Sequence, residues 1–188
     1  AACMRAHLGR ATRLATVSIH LQFTGAPRIG RLAAEGVFQG FLRGASGKLG
    51  MSRVTVDGKA GQVCYGSGTF MALAPPKNMT LHPVPLRNRK SAQPAGLREE
   101  DLEPEEQKII GRADAALAAR GVFIEKFWGI RPRDGTGTLE NGLHVGNRVG
   151  HAQGGILLAL AAVTAGTAVA PHWRLSGISA WCISPGEG

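Results

Sequence analysis

Three side chains able to hydrogen-bond, Asn147, His151 and Gln153, stand just ahead of two adjacent glycines, Gly154 and Gly155. An uncharged run of mostly Ala, Leu and Val follows, from Ile156 to Ala170. This pattern predicts a helix that opens at the glycines, has no polar face and is buried all round. Its first-turn N–H groups have no acceptor inside the helix. Paired glycines let another molecule come close to those donors. With the helix dipole, they form a place for a phosphate or for the developing oxyanion of a thioester under attack. The plainer alternative is that Gly154-Gly155 only permits tight packing. His151 could act as a general base, because a free imidazole titrates near neutrality; a hydrogen-bonded structural histidine is the commoner role. Gln153 could orient a substrate. Asn147 could position a water, although turn capping is what Asn does more often.

The run GNRVGHAQGGILLALAAVTA resembles the start of the central helix in hotdog-fold acyl-CoA thioesterases, in particular the PaaI-like group. The segment LATVSIHLQFTGAPRIG resembles the same family. The resemblance implies an α+β hotdog fold, a curved antiparallel sheet wrapped around one long helix. It implies a thioester hydrolase acting on a fatty or aromatic acyl-CoA, with coenzyme A present only as part of the substrate and no separate cofactor or metal. Backbone N–H groups at Gly154 and Gly155 would polarise the thioester carbonyl, with Gln153, His151 and Asn147 beside them. The family places a carboxylate about two turns along the helix. Here that position is Ala162, and the nearest polar residue is Thr164, whose default role is bonding back to its own helix. The resemblance sets both against the substrate and leaves the carboxylate to another repeat. Two alternatives stay open: a non-catalytic acyl-CoA-binding or scaffold unit, and a hydratase. The hydratase would need an Asp near His151, and none stands there.

The elements that must position these residues follow from periodicity. Residues 2–8 read as a helix tail stopped by Gly9. Leu14–Phe23 alternates, with Val17, Ile19, Leu21 and Phe23 on one face and Ser18, His20 and Gln22 on the other. Further strands are expected over Arg31–Arg43, bent at Gly36 and Gly40, over Leu49–Val56, and over Gln62–Leu73, with Asp57-Gly58 marking a hairpin. Together the four strands suggest a meander. Residues 76–103 read as a proline-rich basic linker containing Arg87-Asn88-Arg89-Lys90. A helix is expected over Gln107–Arg120, after six acids in Glu99–Glu106. Next come a strand over Val122–Ile130, a Gly-rich loop over Pro132–Leu143, the apolar helix ended by Pro171, and a last strand over Leu175–Ile183.

A shift of 158 residues aligns Phe23, Pro27 and Gly30 with Trp181, Pro185 and Gly188. The expected organisation is therefore tandem: residues 1–75 as the second half of one hotdog unit and 104–188 as the first half of another. In this reading the chain is truncated at both ends, with circular permutation as the alternative. Units would pair within the chain or as a homo-oligomer. The net charge is +9, but the basic residues are scattered and do not interleave with aromatic residues, so nucleic acid is not expected as a partner. The positive balance suits the phosphates of coenzyme A. Cys3, Cys64 and Cys182 are odd in number and far apart, with no zinc spacing. With no membrane-spanning run and no signal sequence, the expected location is cytoplasmic.

Overall fold

The computed structural model describes residues 1–27, 29–42, 48–75, 77–81, 83, 98–147 and 149–183. The turn at Gly44, most of the 76–103 linker with its basic cluster, Arg148, and the repeat positions Pro185 and Gly188 lie outside the described residues. The chain divides into two units, Ala1–Val84 with Val169–Pro185, and Pro85–Ala168 with Gly186–Gly188. Its class is α+β.

The first unit is a helix on a five-stranded sheet. Helix α1 spans Ala2–Leu8 and ends at Gly9, as expected. Strands β1 (Arg13–Phe23), β2 (Ala33–Phe41), β3 (Leu49–Gly58) and β4 (Gly61–Leu73) follow. Strand β7 (Gly177–Trp181) completes the sheet in the order β2-β3-β4-β1-β7. Every pairing is antiparallel. The four-strand meander therefore needs correction: β2, β3 and β4 form one, but β1 pairs with β4 and never with β2. Loop length explains part of this. Seven residues connect β2 to β3 and two connect β3 to β4, and tight connections favour neighbours, whereas the nine-residue passage from Phe23 to Ala33 is long enough to cross the sheet end. The hairpin tip also moves, to Lys59-Ala60, because Gly58 pairs with Gly61.

Helix α1 sits on the β2–β3 end of one sheet face. A Cβ on Gly36 would come within 2.9 Å of Cys3 Sγ, and one on Gly50 within 3.0 Å of Met4 Sδ. The absent side chains are thus what lets the helix seat, and Met4 is fully buried there. A register shift between Phe38 and Gly40 bends β2 where a glycine was expected to allow it. A second shift, between Thr16 and Ser18, interrupts the clean alternation of β1. Ser18 becomes its buried residue, hydrogen-bonded to Thr69 Oγ1 at 3.1 Å.

The second unit holds helices α2 (Pro104–Ala118), α3 (Phe123–Trp128) and α4 (Gly154–Thr167), and a small hairpin of β5 (Arg131–Arg133) and β6 (Thr136–Thr138). A one-turn 3-10 helix over Glu99–Asp101 precedes α2. Helix α2 begins three residues before the expected start. Pro104 fits the first helical position, and Glu103 and Glu106 form a reciprocal capping box, with Glu103 N–H donating to Glu106 Oε2 at 3.0 Å.

The strand expected over Val122–Ile130 is instead α3. Its apolar residues also satisfy a four-residue spacing: the Phe123 and Phe127 rings stack with centroids 5.6 Å apart. Gly129, at φ 70, takes the left-handed conformation that closes the helix, and its N–H donates to the Glu125 and Lys126 carbonyls. The expected loop over Pro132–Leu143 contains the β5–β6 hairpin, turned by Asp134 (φ 47) and Gly135 (φ 76), the two positive φ values of a type I′ turn.

Candidate functional site

The polar residues ahead of α4 belong to one closed loop. Gly146 and Ala152 bridge, Asn147 N–H donates to the His151 carbonyl at 2.7 Å, and Gln153 N–H donates to the Val145 carbonyl at 3.0 Å. Val145, fully buried, anchors the loop. The loop brings Asn147, His151 and Gln153 to the N-terminus of α4 and sets each differently. Asn147 Oδ1 accepts from the Val149 and His151 amides at 2.9 and 3.3 Å, so this side chain organises its own turn. Gln153 is the N-cap residue, but its side chain does not cap; Nε2 reaches back to the Gly146 carbonyl at 3.0 Å. His151 is half-buried, with its main chain held by Asn147.

Gly154 and Gly155 form the first turn of α4. The Ile156 and Leu157 amides donate to the Gln153 carbonyl at 2.9 and 3.1 Å. Among the described residues, the Gly154 and Gly155 amides have no acceptor. A Cβ on Gly155 would meet nothing within 4 Å, so the space over this turn is open. The arrangement can offer two backbone donors, reinforced by the helix dipole, to an oxygen carrying negative charge.

The body of α4 differs from the expected helix buried all round. Only Ile156 and Leu158 are buried; Ala162 and Thr164 are half-buried, and Ala161 and Ala165 are exposed. Within its unit the helix packs against β5 and β6. It ends at Thr167, before Pro171, where Thr167 Oγ1 donates to the Thr164 carbonyl at 2.7 Å and accepts from Gly135 N–H at 3.0 Å. Thr164 Oγ1 is buried with no hydrogen-bond partner among the described residues. It lies where a side chain on Gly137 would stand, so the hairpin approaches α4 through that glycine.

One residue that sequence reasoning missed is His144. Its Nε2 is buried and unpartnered among the described residues, and its ring meets Phe127 edge-on at 6.3 Å. Burial pushes the imidazole pKa below its ordinary value, and the Arg112 guanidinium pushes the same way; the Trp128 main chain and Glu140 pull it back in part. Arg112 is itself fixed, with Nε donating to the Phe127 carbonyl at 2.6 Å and Nη1 standing 4.0 Å from Glu140 Oε2. Only one sequence signal marked His144, a lone titratable residue between Leu143 and Val145.

No group of three or more His, Cys, Asp or Glu among the described residues is arranged to hold a metal. No described helix is long and apolar enough to cross a membrane. The chain matches no protein-family model, and a search of curated proteins gives no significant match.

Proposed function

We propose that this protein is an acyl-CoA thioesterase of the hotdog type, in which the Gly154 and Gly155 amides stabilise the oxyanion formed when water attacks the thioester carbonyl. One observation carries the reading: two adjacent amides at a helix N-terminus, without acceptors among the described residues, with open space over Gly155. The antiparallel sheet with a helix on one face agrees with it. So does the pairing of β1 with β7, the two strands that the 158-residue shift makes equivalent. Hydrolysis adds water across the C–S bond and yields a carboxylic acid and free coenzyme A thiol. In this reading His151, half-buried in the loop ahead of these amides, orients the substrate, while the Gln153 Nε2 is held by the Gly146 carbonyl.

A second reading, acyl-CoA binding without hydrolysis, is favoured by one feature. Helix α4 holds no carboxylate, and Ala162 stands where the resemblance wants one. Thiol release and binding, measured together on the whole protein with a panel of acyl-CoA esters, decide between them. For the hydrolytic reading, Gly155→Val should cut kcat by about 10²-fold or more, the scale of losing oxyanion donors. Its thermal midpoint should barely move, because the added side chain meets open space. Binding without thiol release selects the second reading. Unchanged turnover in Gly155→Val removes the proposed oxyanion site, and a wild-type protein that neither binds nor cleaves removes both readings.

A further inference from the structure

At the end of the sheet in the first unit, a cleft of about 350 Å³ opens between Phe23, Pro27, Ile29, Val63, Leu175 and Arg174. Its walls are well tied. Phe23 N–H donates to the Ser176 carbonyl at 2.7 Å, which holds the approach to β7 against the end of β1. Thr24 Oγ1 donates to the Gln62 carbonyl and accepts from Ala26 N–H at 3.2 Å, and Thr24 N–H donates to the Val63 carbonyl at 3.1 Å, which pins the loop onto β4. The apolar lining is only partly covered: Ile29 is 86% exposed and Leu175 41%. Apolar side chains kept around a concavity are what a ligand site needs.

Among the described lining residues the one that is charged, Arg174, is oriented by its own chain. Its Nη1 donates to the Pro171 and Trp173 carbonyls, both at 2.9 Å. That uses the two hydrogens of one terminal nitrogen. The opposite edge, Nε with Nη2, has no acceptor among the described residues, and no carboxylate pairs with it there. Two parallel N–H groups on one planar edge match the two oxygens of a carboxylate.

We infer that this cleft binds a medium-chain carboxylate, with the chain against Phe23, Val63 and Leu175 and the head group on the Nε/Nη2 edge of Arg174. The size follows from the volume. At roughly 30 Å³ per small group, the cleft holds on the order of ten heavy atoms. Among the described lining residues a single guanidinium edge is on offer; it balances one negative charge, which favours a carboxylate over a doubly charged phosphate. This inference is independent of the thioester reading, since it uses none of the residues at α4.

Calorimetric titration of the whole protein with octanoate tests it, beside octanol, acetate and octyl phosphate. Saturable one-to-one octanoate binding is expected, at least tenfold weaker for octanol and undetectable for acetate. Arg174→Gln should weaken octanoate at least tenfold, and Arg174→Lys, which keeps the charge without the fork, should recover only part. Arg133→Gln, in the other unit, should match wild type. Chemical-shift changes should centre on Val63 and Leu175. Absence of saturable binding, equal binding by Arg174→Gln, equal binding of octanol, or tighter binding of octyl phosphate would each overturn the proposal.

Discussion

His144 holds a proton less readily than a free imidazole, because its ring is partly buried and Arg112 lies beside it. In the unfolded chain the same ring titrates near pH ~6.5. Below that pH the unfolded state takes up a proton that the folded state resists. Stability therefore falls as the pH drops through ~6.5, until the folded-state value is passed, and then levels; above ~6.5 this residue makes no pH-dependent contribution. Groups facing the ring are Arg112 from α2, Phe127 and the Trp128 main chain from α3, and Glu140 ahead of the loop. Urea midpoints between pH 8 and 5, read from Trp128 in a protein whose Trp173 and Trp181 are replaced by Phe, should fall toward acid. His144→Leu should flatten that slope. Equal slopes in the two proteins would show that His144 does not set the pH response.

At the scale of elements, glycines separate by what a side chain would meet. On Gly66, paired with Leu21, a Cβ would fall on the His20 carbonyl oxygen, which is backbone and cannot swing aside. Gly66→Ala should therefore part β1 from β4 and cost about 3 kcal/mol. Gly111 lies inside α2 with nothing near its missing Cβ, and Gly111→Ala should stabilise by about 1 kcal/mol. Chemical denaturation of both variants checks the pair, and similar shifts in both would contradict the geometry. The same elements show what the sequence made legible. Strands β1, β3 and β4 and the start of α4 were readable because their period is long or their punctuation strong. Helix α3 was not, because six residues with apolar positions at Phe123, Phe127 and Trp128 satisfy either period. Asp57-Gly58 marks a real hairpin whose tip lies two residues further on, whereas Asp134-Gly135 was not legible as one, because its flanking strands have only three residues each to show a pattern. At the candidate site, the position of Gly154-Gly155 was legible, whereas the spending of Asn147 and Gln153 on their own loop depends on the Gly146–Ala152 bridge. His144 became visible only once three elements surrounded it.

Across the described residues, the last strand returns to the first. The β1–β7 ladder runs from Val17 opposite Cys182 to Phe23 opposite Ser176, joining residues more than 150 positions apart. Shifted by 158, residues 17–23 become 175–181, one place from the segment they pair with, so the repeat expected from that shift would set two equivalent strands antiparallel about a local near-twofold. Helix ends obey the same shift within one residue, Leu8 for α1 and Thr167 for α4. Such distant pairing forms late, because its loop-closure cost precedes its reward. The printed bonds at Val17–Cys182 and Phe23–Ser176 fix the alternation. Amides of Ile178, Ala180 and Cys182 must point into β1, and those of Ser179 and Trp181 toward the opposite edge, where no described strand pairs. Hydrogen exchange should then divide β7 by parity, with Ile178 and Ala180 at least tenfold slower than Ser179 and Trp181. Uniformly fast exchange would mean that β7 does not join this sheet and that the two equivalent strands are not paired. Uniformly slow exchange would mean that a further strand covers the outer edge, extending the sheet beyond β7 as β4 extends it beyond β1.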